Sequence, residues 1–425
     1  MEGKEMKKRT ISILLAGAMT MAAVMGSTVT AFAGEEDTLE FYHGYYHDES
    51  EWPAAKVMRD IYDEFAKTHA DGEVKFEPIA VENRDEIVSA EVAGGNFPDM
   101  VDCGLPLSLA AISQGLVLDL KPYIDENNLQ DAVGLNYTQN DVDGHIYTVH
   151  DQLESRGLWY NTEVFEQAGI TAEEAFKDWE SFGAAMDKVH ELGGDTYGSR
   201  YIINAVLAST EEGRELLKGE LTPEGIESEA FAEAFKTAAK LDQANGSDHT
   251  TEDVGNLMDD FNKNGKAAVL FNGVWNASGI DAGLADKIES QIFPGNVSVV
   301  TAGSGHSISA NLSEAETELA LEFLAYMVSP EVQAKIFTGV QANPCNTTLD
   351  LKALAEESGD PITQKLAEAC TQVNSAETVV TDLNYVWGSD VGSAIINALM
   401  ESAVEGTDID ARFEQLKQEL TALVA

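Results

Sequence analysis

The chain has 425 residues, with 74 aspartate and glutamate residues against 26 lysine and arginine residues, so its formal net charge at pH 7 is −48. A surface this negative repels nucleic acids and anionic lipid headgroups, which excludes a nucleic-acid-binding protein and a peripheral protein of acidic membranes. The length exceeds what a single hydrophobic core organises and predicts two domains.

The N-terminal residues have the three parts of a secretory signal peptide. A basic region at 7–9 precedes 15 apolar residues at 11–25, and Ala31-Phe32-Ala33 supplies the small residues that a signal peptidase recognises. The apolar stretch is shorter than the roughly 20 residues of a membrane span. We therefore expect an exported protein, periplasmic or extracellular, that is cleaved after Ala33. No cysteine lies near that site, so we expect no lipid anchor, and either Met1 or Met6 can serve as the initiator.

The cysteines do not form a recognisable framework. The chain has three of them, at Cys103, Cys345 and Cys370, and an odd number leaves at least one free thiol. Their wide spacing does not match a zinc site. We predict that all three are small buried residues, and we expect no disulfide framework, no metal and no cofactor.

Short apolar runs alternate with amphipathic helices after the signal peptide, which is typical of an α/β protein with largely parallel sheets. The first five predicted elements are a strand at 38–42, a helix at 53–67, a strand at 74–78, a helix at 85–93 and a strand at 100–103. Pro53 fits the first turn of its helix, and we interpret Trp52 as covering that helix start. These elements predict one lobe.

Further strands are predicted at 146–150, 158–160, 267–271 and 297–300, and helices at 179–191, 228–245, 251–264, 314–328 and 409–423. Ser329 caps a new helix that begins at Pro330. The sequence has no proline-rich linker, which favours lobes joined by several chain crossings that act as a hinge. We expect an N-lobe from 34–152 with 303–350, and a C-lobe from 153–302 with 351–425.

Motifs for catalysis are absent from the sequence. Asp143-Gly144 is interpreted as a tight turn and not as part of a calcium loop. Gly303-Ser304-Gly305 does not match a nucleotide-binding loop, and the chain lacks the GxSxG nucleophile elbow. Asp151 and Glu154 could form a glycosidase pair. Because they are three residues apart on an extended segment, we predict that their side chains point to opposite sides.

A set of polar and aromatic residues indicates a sugar-shaped ligand. Glu154 lies six residues before Tyr160-Asn161, and Tyr201, Trp275 and Trp387 follow at predicted strand ends or in loops. Flat rings suit the C–H face of a sugar, and a carboxylate accepts hydrogen bonds from hydroxyl groups. Trp179 is different: it begins an amphipathic helix and is interpreted as a core residue. The pattern favours a receptor over an enzyme.

Five segments, in this order, resemble the extracellular solute-binding proteins of the maltose-binding class, the receptor components of ABC sugar importers. The resemblance covers essentially all of the mature chain, and the segments that carry it are AGGNFPDM at 93–100, GLWYNTEVF at 157–165, DWESF at 178–182, FNGVW at 271–275 and FLAYMVSPE at 323–331. It implies an α/β, two-lobe periplasmic-binding-protein fold of the type II kind, in which each lobe has a central, mostly parallel sheet flanked by helices.

The resemblance also implies which residues contact a ligand. Glu154 occupies the position of a glutamate that binds sugar hydroxyls, and the family's stacking aromatics correspond to Tyr201, Trp275 and Trp387. The loop after the first strand offers His43, Tyr45 and Tyr46, and the loop after Pro98-Asp99 offers Asp102 and Cys103. The family's maltose receptor has an aromatic residue where this chain has Cys103, so maltose itself is in doubt. We add Asp151, beside Glu154, to the predicted ligand-binding residues.

The implied partners are a carbohydrate, which we expect to be an oligosaccharide, and the permease subunits of an ABC transporter, and we expect the receptor to be a monomer. Two alternatives stay open at this point. The same fold could bind a polyamine, iron or a peptide; iron would use neighbouring tyrosines such as Tyr45-Tyr46. The second alternative is a secreted glycosidase.

Overall fold

The computed structural model of the protein describes residues 38–193, 202–245, 254–301 and 304–424. The predicted signal peptide lies outside these residues. The strands, numbered in chain order, are β1 Thr38–His43, β2 Lys75–Ala80, β3 Met100–Gly104, β4 Asp141–Val142, β5 His145–Ile146, β6 Gln152–Asn161, β7 Val269–Gly273, β8 Ile288–Gln291, β9 Val297–Thr301, β10 Ser304–Ile308, β11 Asn343–Pro344 and β12 Thr378–Thr381.

Helices surround these strands. Those before β6 are α1 Pro53–Thr68, α2 Arg84–Ala93, α3 Leu105–Ile112, α4 Lys121–Glu126, α5 Gln130–Val133 and α6 Asn136–Gln139. Those between β6 and β7 are α7 Thr162–Ala168, α8 Ala172–Ala175, α9 Trp179–Glu191, α10 Ile202–Ala208, α11 Glu211–Leu216, α12 Pro223–Ile226, α13 Glu229–Asn245 and α14 Val254–Asn262. Those after β10 are α15 Glu314–Met327, α16 Pro330–Lys335, α17 Leu351–Ser358, α18 Pro361–Asn374, α19 Leu383–Val386, α20 Ser389–Ser402 and α21 Ile409–Val424.

Three short helical segments complete the secondary structure. Two are 3₁₀ helices, Val274–Gly279 and Ala285–Lys287, and one is a π-helical turn, Ile336–Val340. Within the predicted helix at 251–264 the structure has α14, and residues 251–253 lie outside the described residues. Among the described residues, we find no helix with the length and apolar character needed to cross a membrane.

The first sheet has the strand order β10-β3-β1-β2, with β1 parallel to β2 and β3, and β10 antiparallel to β3. Residues alternate between its faces, as the two-residue period of a strand requires. Phe41 packs with Tyr62 of α1 and Phe323 of α15 on one face, and Cys103 packs with Val88 of α2 on the other. Helices therefore cover both faces, as the α/β pattern predicted.

The second sheet is organised around β6, which pairs antiparallel with β7, β8, β9 and β11, while β12 pairs parallel with β9. The mostly parallel sheet expected from the sequence is therefore found in the first lobe, while this sheet is mainly antiparallel. The difference arises because β6 runs into the second lobe and most of its partners run back toward the first.

The predicted strand at 158–160 lies within a longer strand, while of the predicted strand at 146–150 only Ile146 belongs to a named strand. The structure has the two-residue β5 and then one ten-residue strand, β6. Leu158 and Trp159 are both buried, in cores on opposite faces of the sheet, so β6 lacks the alternation that would have marked its true length. The predicted tight turn is confirmed: β4 pairs with β5, and Asp143 and Gly144 both have positive φ, 55° and 89°.

Both sheets belong to one compact unit, residues 36–425, and the chain passes between them more than once. The first end of β6 pairs with β11, and its middle pairs with β9. β9 ends at Thr301 in the second sheet, and β10 begins at Ser304 in the first. The chain segments that connect the two sheets lie side by side, which is the arrangement of a hinge built from several segments.

Gln333 of α16 is fully buried and ties two of these segments together. Its Nε2 donates to the carbonyl oxygens of Asp151 (3.0 Å) and Met327 (2.8 Å), and its Oε1 accepts from the backbone nitrogen of Cys345 (2.8 Å). A buried amide with its hydrogen bonds satisfied fixes the local geometry. All three cysteines are buried, as predicted, and none of them forms a disulfide.

Candidate functional site

A cavity of about 310 Å³ opens where the first sheet meets the start of β6. The segments that follow β1 and β2 reach it together with Asp102 of β3, as expected for a ligand site near the carboxyl ends of parallel strands. Its lining residues are Gly44, Tyr45, Trp52, Arg84, Asp102, Asp151, Gln152 and Glu154. Polar groups therefore converge on a concave surface with two aromatic rings.

Arg84, at the start of α2, is held by two carboxylates. Its Nη1 donates to Asp102 Oδ2 (3.1 Å), and its Nε donates to Asp85 Oδ1 (2.9 Å). Burial raises the pKa of Asp102, and the nearby Arg84 opposes that rise. A Cβ atom at position 44 would lie 2.9 Å from Arg84 Nη1, so glycine at Gly44 lets the guanidinium approach the backbone of the loop.

Asp151 joins the cavity to the buried interior. Its Oδ2 lies 3.2 Å from Nε2 of His306 on β10, and both residues are buried. Burial, the largest influence, lowers the pKa of His306, but the hydrogen bond and charge of Asp151 and the charge of Asp102 together raise it above its usual value. The carbonyl of Asp151 is the one held by Gln333.

The loop after β1 presents the aromatic part of the lining. Arg59 of α1 donates from Nη1 to the carbonyl oxygens of Tyr45 and His47, both at 2.7 Å, which fixes the loop on the helix. The Tyr45 hydroxyl accepts from Gln152 Nε2 at 2.8 Å. Trp52 precedes α1, its ring centroid lies 5.2 Å from that of Tyr45, and 41% of its surface is exposed. An exposed indole at a cavity wall is available to stack on a ligand.

Glu154 and Trp275 are linked through Arg156, which lies on the same side of β6 as Glu154. Arg156 Nη2 lies 3.5 Å from Glu154 Oε2, and the Arg156 guanidinium carbon lies 5.0 Å from the centroid of the Trp275 ring. A Cβ atom at position 273 would meet that ring at 2.0 Å, so Gly273 is the residue that lets Trp275 fold back over its own strand. This contact explains the spacing G-x-W.

Four of the predicted ligand-binding residues, Tyr45, Asp102, Asp151 and Glu154, line the cavity together. The prediction that Asp151 and Glu154 point to opposite sides was wrong. Asp151 lies in a bend just before β6 begins, so the alternation of an extended strand does not apply between the two residues.

Two predicted residues lie beneath the cavity and one lies at its mouth. His43 and Cys103 are buried; burial, with the charges of Arg59 and Arg84, lowers the pKa of His43 to about 4. Tyr46 is 40% exposed, stacks on His47 with ring centroids 4.2 Å apart, and borders a shallower recess that also includes Arg84.

The predicted stacking residues of the second lobe do not line the cavity in the described part of the chain. Trp275 is half-buried beside Arg156. Trp387 is buried in the core of the second lobe, where its Nε1 donates to the Leu216 carbonyl at 3.1 Å and its ring packs edge-on against Phe231. Tyr201 lies outside the described residues. The ligand contacts of these three residues stay predictions.

Sequence reasoning missed Trp52, Arg84 and Gln152 as lining residues. Trp52 was interpreted as a cover for its helix, although its place in the loop that follows β1 was a usable signal. Arg84 follows β2 in the same way. Trp179 lies in the core, as predicted: it is 8% exposed and stacks with Phe271 and Phe293.

Comparison with known proteins shows which family and which solved structures this chain is similar to. Residues 60–364 match the family described as bacterial extracellular solute-binding protein. A Streptococcus pneumoniae solute-binding protein, solved in complex with the blood group A-trisaccharide, is 45% identical, with 91% of this chain and 100% of that chain covered and a TM-score of 0.79. The sugar-binding protein MalE from Xanthomonas citri is 18% identical, with 91% and 97% covered and a TM-score of 0.71, and shows the fold alone.

A more distant match adds little. A protein from Brucella abortus (strain 2308) that is named as a binding protein is 24% identical over 111 residues, which is 26% of this chain and 26% of that protein. The chain thus matches about a quarter of the length of this curated relative. The family match, in contrast, spans most of the chain, and the pneumococcal protein aligns over its full length. The chain belongs to the bacterial extracellular solute-binding family.

Proposed function

We propose that this protein is the exported receptor of an ABC importer, which captures a carbohydrate, an oligosaccharide in our proposal, and delivers it to a membrane permease. One observation carries the proposal: the cavity combines an exposed indole with three carboxylates on a concave surface. The pneumococcal protein in complex with the blood group A-trisaccharide supports the same ligand class, because it is 45% identical over nearly the whole chain.

The chemistry of a sugar suits this lining. A pyranose ring has an apolar C–H face, for which the Trp52 indole offers a flat partner. Its rim of hydroxyl groups can donate to the carboxylates of Asp151 and Glu154 through short charge-assisted hydrogen bonds. The Gln152 amide already donates to the Tyr45 hydroxyl, so this loop is held in place before a ligand arrives.

The two lobes of the family fold give the site a second wall. In our proposal the N-lobe is 34–152 with 303–350, the C-lobe is 153–302 with 351–425, and Trp275 approaches the ligand when the lobes close. A ligand that contacts both lobes binds the closed form better than the open form, and this difference shifts the equilibrium. The closed receptor then presents a distinct outer surface to the permease.

Export is part of the same proposal. We infer cleavage after Ala33, a location in the periplasm or outside the cell, no lipid anchor and a monomeric receptor. The basic residues and the apolar stretch at the N-terminus support cleavage of a signal peptide.

A cationic solute is the second candidate, because three carboxylates face the cavity and a polyamine would neutralise them. The exposed Trp52 ring favours the sugar. Glycoside hydrolysis is not proposed, because the family and the structural neighbours are binding proteins.

A thermal-shift screen distinguishes a sugar ligand from a cationic one. It should include neutral oligosaccharides, the blood group A-trisaccharide among them, together with putrescine and spermidine. A bound ligand at 100 times its dissociation constant adds about 2.7 kcal/mol to the stability of the folded state. At least one oligosaccharide should raise the melting temperature. A shift with the polyamines and with none of the sugars would replace the proposal by the second candidate.

A further inference from the structure

We propose that the cavity selects uncharged sugars and rejects sugars that carry a carboxylate or sulfate group. This inference rests on the proposed function and specifies the ligand class of the same site. Its basis is the arrangement of charges around the cavity.

The lining has more negative than positive charge. Three of the lining residues are acidic: Asp102, Asp151 and Glu154. Arg84 is the one cation among the residues that line the cavity in the described chain. An anionic ligand in the cavity would therefore meet a lining that has more carboxylates than cations. Between charges in a partly buried site, repulsion is screened much less than between charges in open solvent.

Arg84 is not available to offset this repulsion, because its guanidinium is already shared between two carboxylates. Asp102 accepts from Nη1 and Asp85 accepts from Nε. Only 13% of the Arg84 side chain is exposed. An incoming carboxylate would have to displace one of these partners and leave it without its cation.

The other nearby basic side chains are engaged in the same way. Arg156 lies between Glu154 and the Trp275 ring, with 7% of its side chain exposed. His306 donates to Asp151 beneath the cavity. At the mouth, the exposed acids Glu82 and Glu86 border the adjoining recess, so the approach is negative as well.

Uncharged sugars do not meet this barrier. Their hydroxyl groups are donors, and the cavity carboxylates are acceptors. Like-charge contact is a recognised way of rejecting a wrong ligand at little expense to the right one. The same carboxylates that bind a neutral sugar would thus exclude its acidic derivative.

The test compares matched ligands by calorimetry. The neutral probes are the blood group A-trisaccharide and every neutral oligosaccharide that shifts the melting temperature in the screen. Each is paired with the derivative in which a primary hydroxyl has been oxidised to a carboxylate. We expect the oxidised form to bind at least tenfold more weakly.

Variants separate charge from shape. Glu154→Gln keeps the size of the side chain and should reduce the ratio at least threefold, and Asp85→Asn, which releases one bond to Arg84, should reduce it as well. Glu173→Gln removes an exposed charge on α8, away from the cavity, and should leave the ratio unchanged. Equal affinity for neutral and oxidised sugars would overturn the inference and leave the proposed function intact. Failure of every neutral sugar to bind would overturn both.

Discussion

His306 and Asp151 form a buried pair, 3.2 Å apart, that joins the first sheet to the segment entering β6. The same Asp151 has its carboxylate at the cavity and its backbone carbonyl bonded to Gln333 in the hinge region. A ligand that binds the carboxylate therefore contacts the segment that connects the two sheets. In our proposal, Asp151 therefore both contacts the ligand and forms part of the hinge.

The first prediction concerns the protonation of His306. Because its folded-state pKa is raised above its usual value, its contribution to stability is fully present below about pH 6.5 and is lost as pH rises through the raised pKa. His306→Gln should therefore lower the melting temperature most at about pH 6 and progressively less at higher pH. Thermal unfolding of both proteins across this range measures the difference. His145→Gln, at an exposed position, is the control, and a difference independent of pH would contradict the prediction.

The second prediction tests Trp52 as a stacking residue. Trp52→Ala should weaken binding of an oligosaccharide by about 1–3 kcal/mol, the scale of a buried aromatic contact. The fold should survive, since 41% of the residue's surface is exposed. Calorimetry gives the affinity and circular dichroism the fold. Trp52→Phe keeps a ring and should recover part of the loss. Unchanged affinity of Trp52→Ala would return the residue to the role of covering a helix.

The third prediction distinguishes Trp275 from Trp387, both of which were predicted from the sequence to stack on a sugar. Trp387→Ala should destabilise the protein by about 3–5 kcal/mol, because it empties a packed site and leaves the Leu216 carbonyl without its donor. Trp275→Ala should lower sugar affinity by about 1–3 kcal/mol with a smaller change in melting temperature. If Trp387→Ala instead melts normally and loses affinity, Trp387 is a stacking residue, as the sequence suggested.

Much of the fold was predictable because its signals are local. The strand at 38–42, the helix from Pro53 and the cap at Ser329 follow from periodicity, proline and side-chain capping, and each is found within a residue or two. The length of β6 was not predictable, since both of its faces are buried and the two-residue alternation is lost.

The site was only partly predictable because its geometry is not local. Asp102 and Glu154 were named from a resemblance, but Arg84 enters through ion pairs with residues 1 and 18 positions away, which no periodic pattern reveals. Trp387 is misleading for a related reason: a tryptophan in a loop can face a ligand or a core, and only its packing against Phe231 and Leu216 shows that it faces the core.

The fourth prediction concerns Asp242, on α13, which is buried and has no hydrogen-bond partner for Oδ1 among the described residues. Burial raises the pKa of Asp242 to about 8. Between about pH 4 and pH 8 the unfolded chain releases this proton and the folded chain keeps it, so stability falls as pH rises through this window. Asp242→Asn should stabilise the protein at pH 7, on the order of 2–4 kcal/mol, and by less at pH 5. A melting-temperature gain that does not grow with pH would contradict this.

The last prediction concerns closure. Asn343 of β11 donates to Ser155 Oγ (3.2 Å) and to Asn374 Oδ1 (3.1 Å), so hydrogen bonds bridge the segments on either side of the proposed hinge. In our proposal, rotation about these segments brings Trp275 toward the cavity. Small-angle scattering should show a smaller radius of gyration when a saturating oligosaccharide is added, and Trp52→Ala at the same sugar concentration should show a weaker change. A radius that stays constant while calorimetry reports full occupancy would rule out closure, because binding would then have no preference between the two forms.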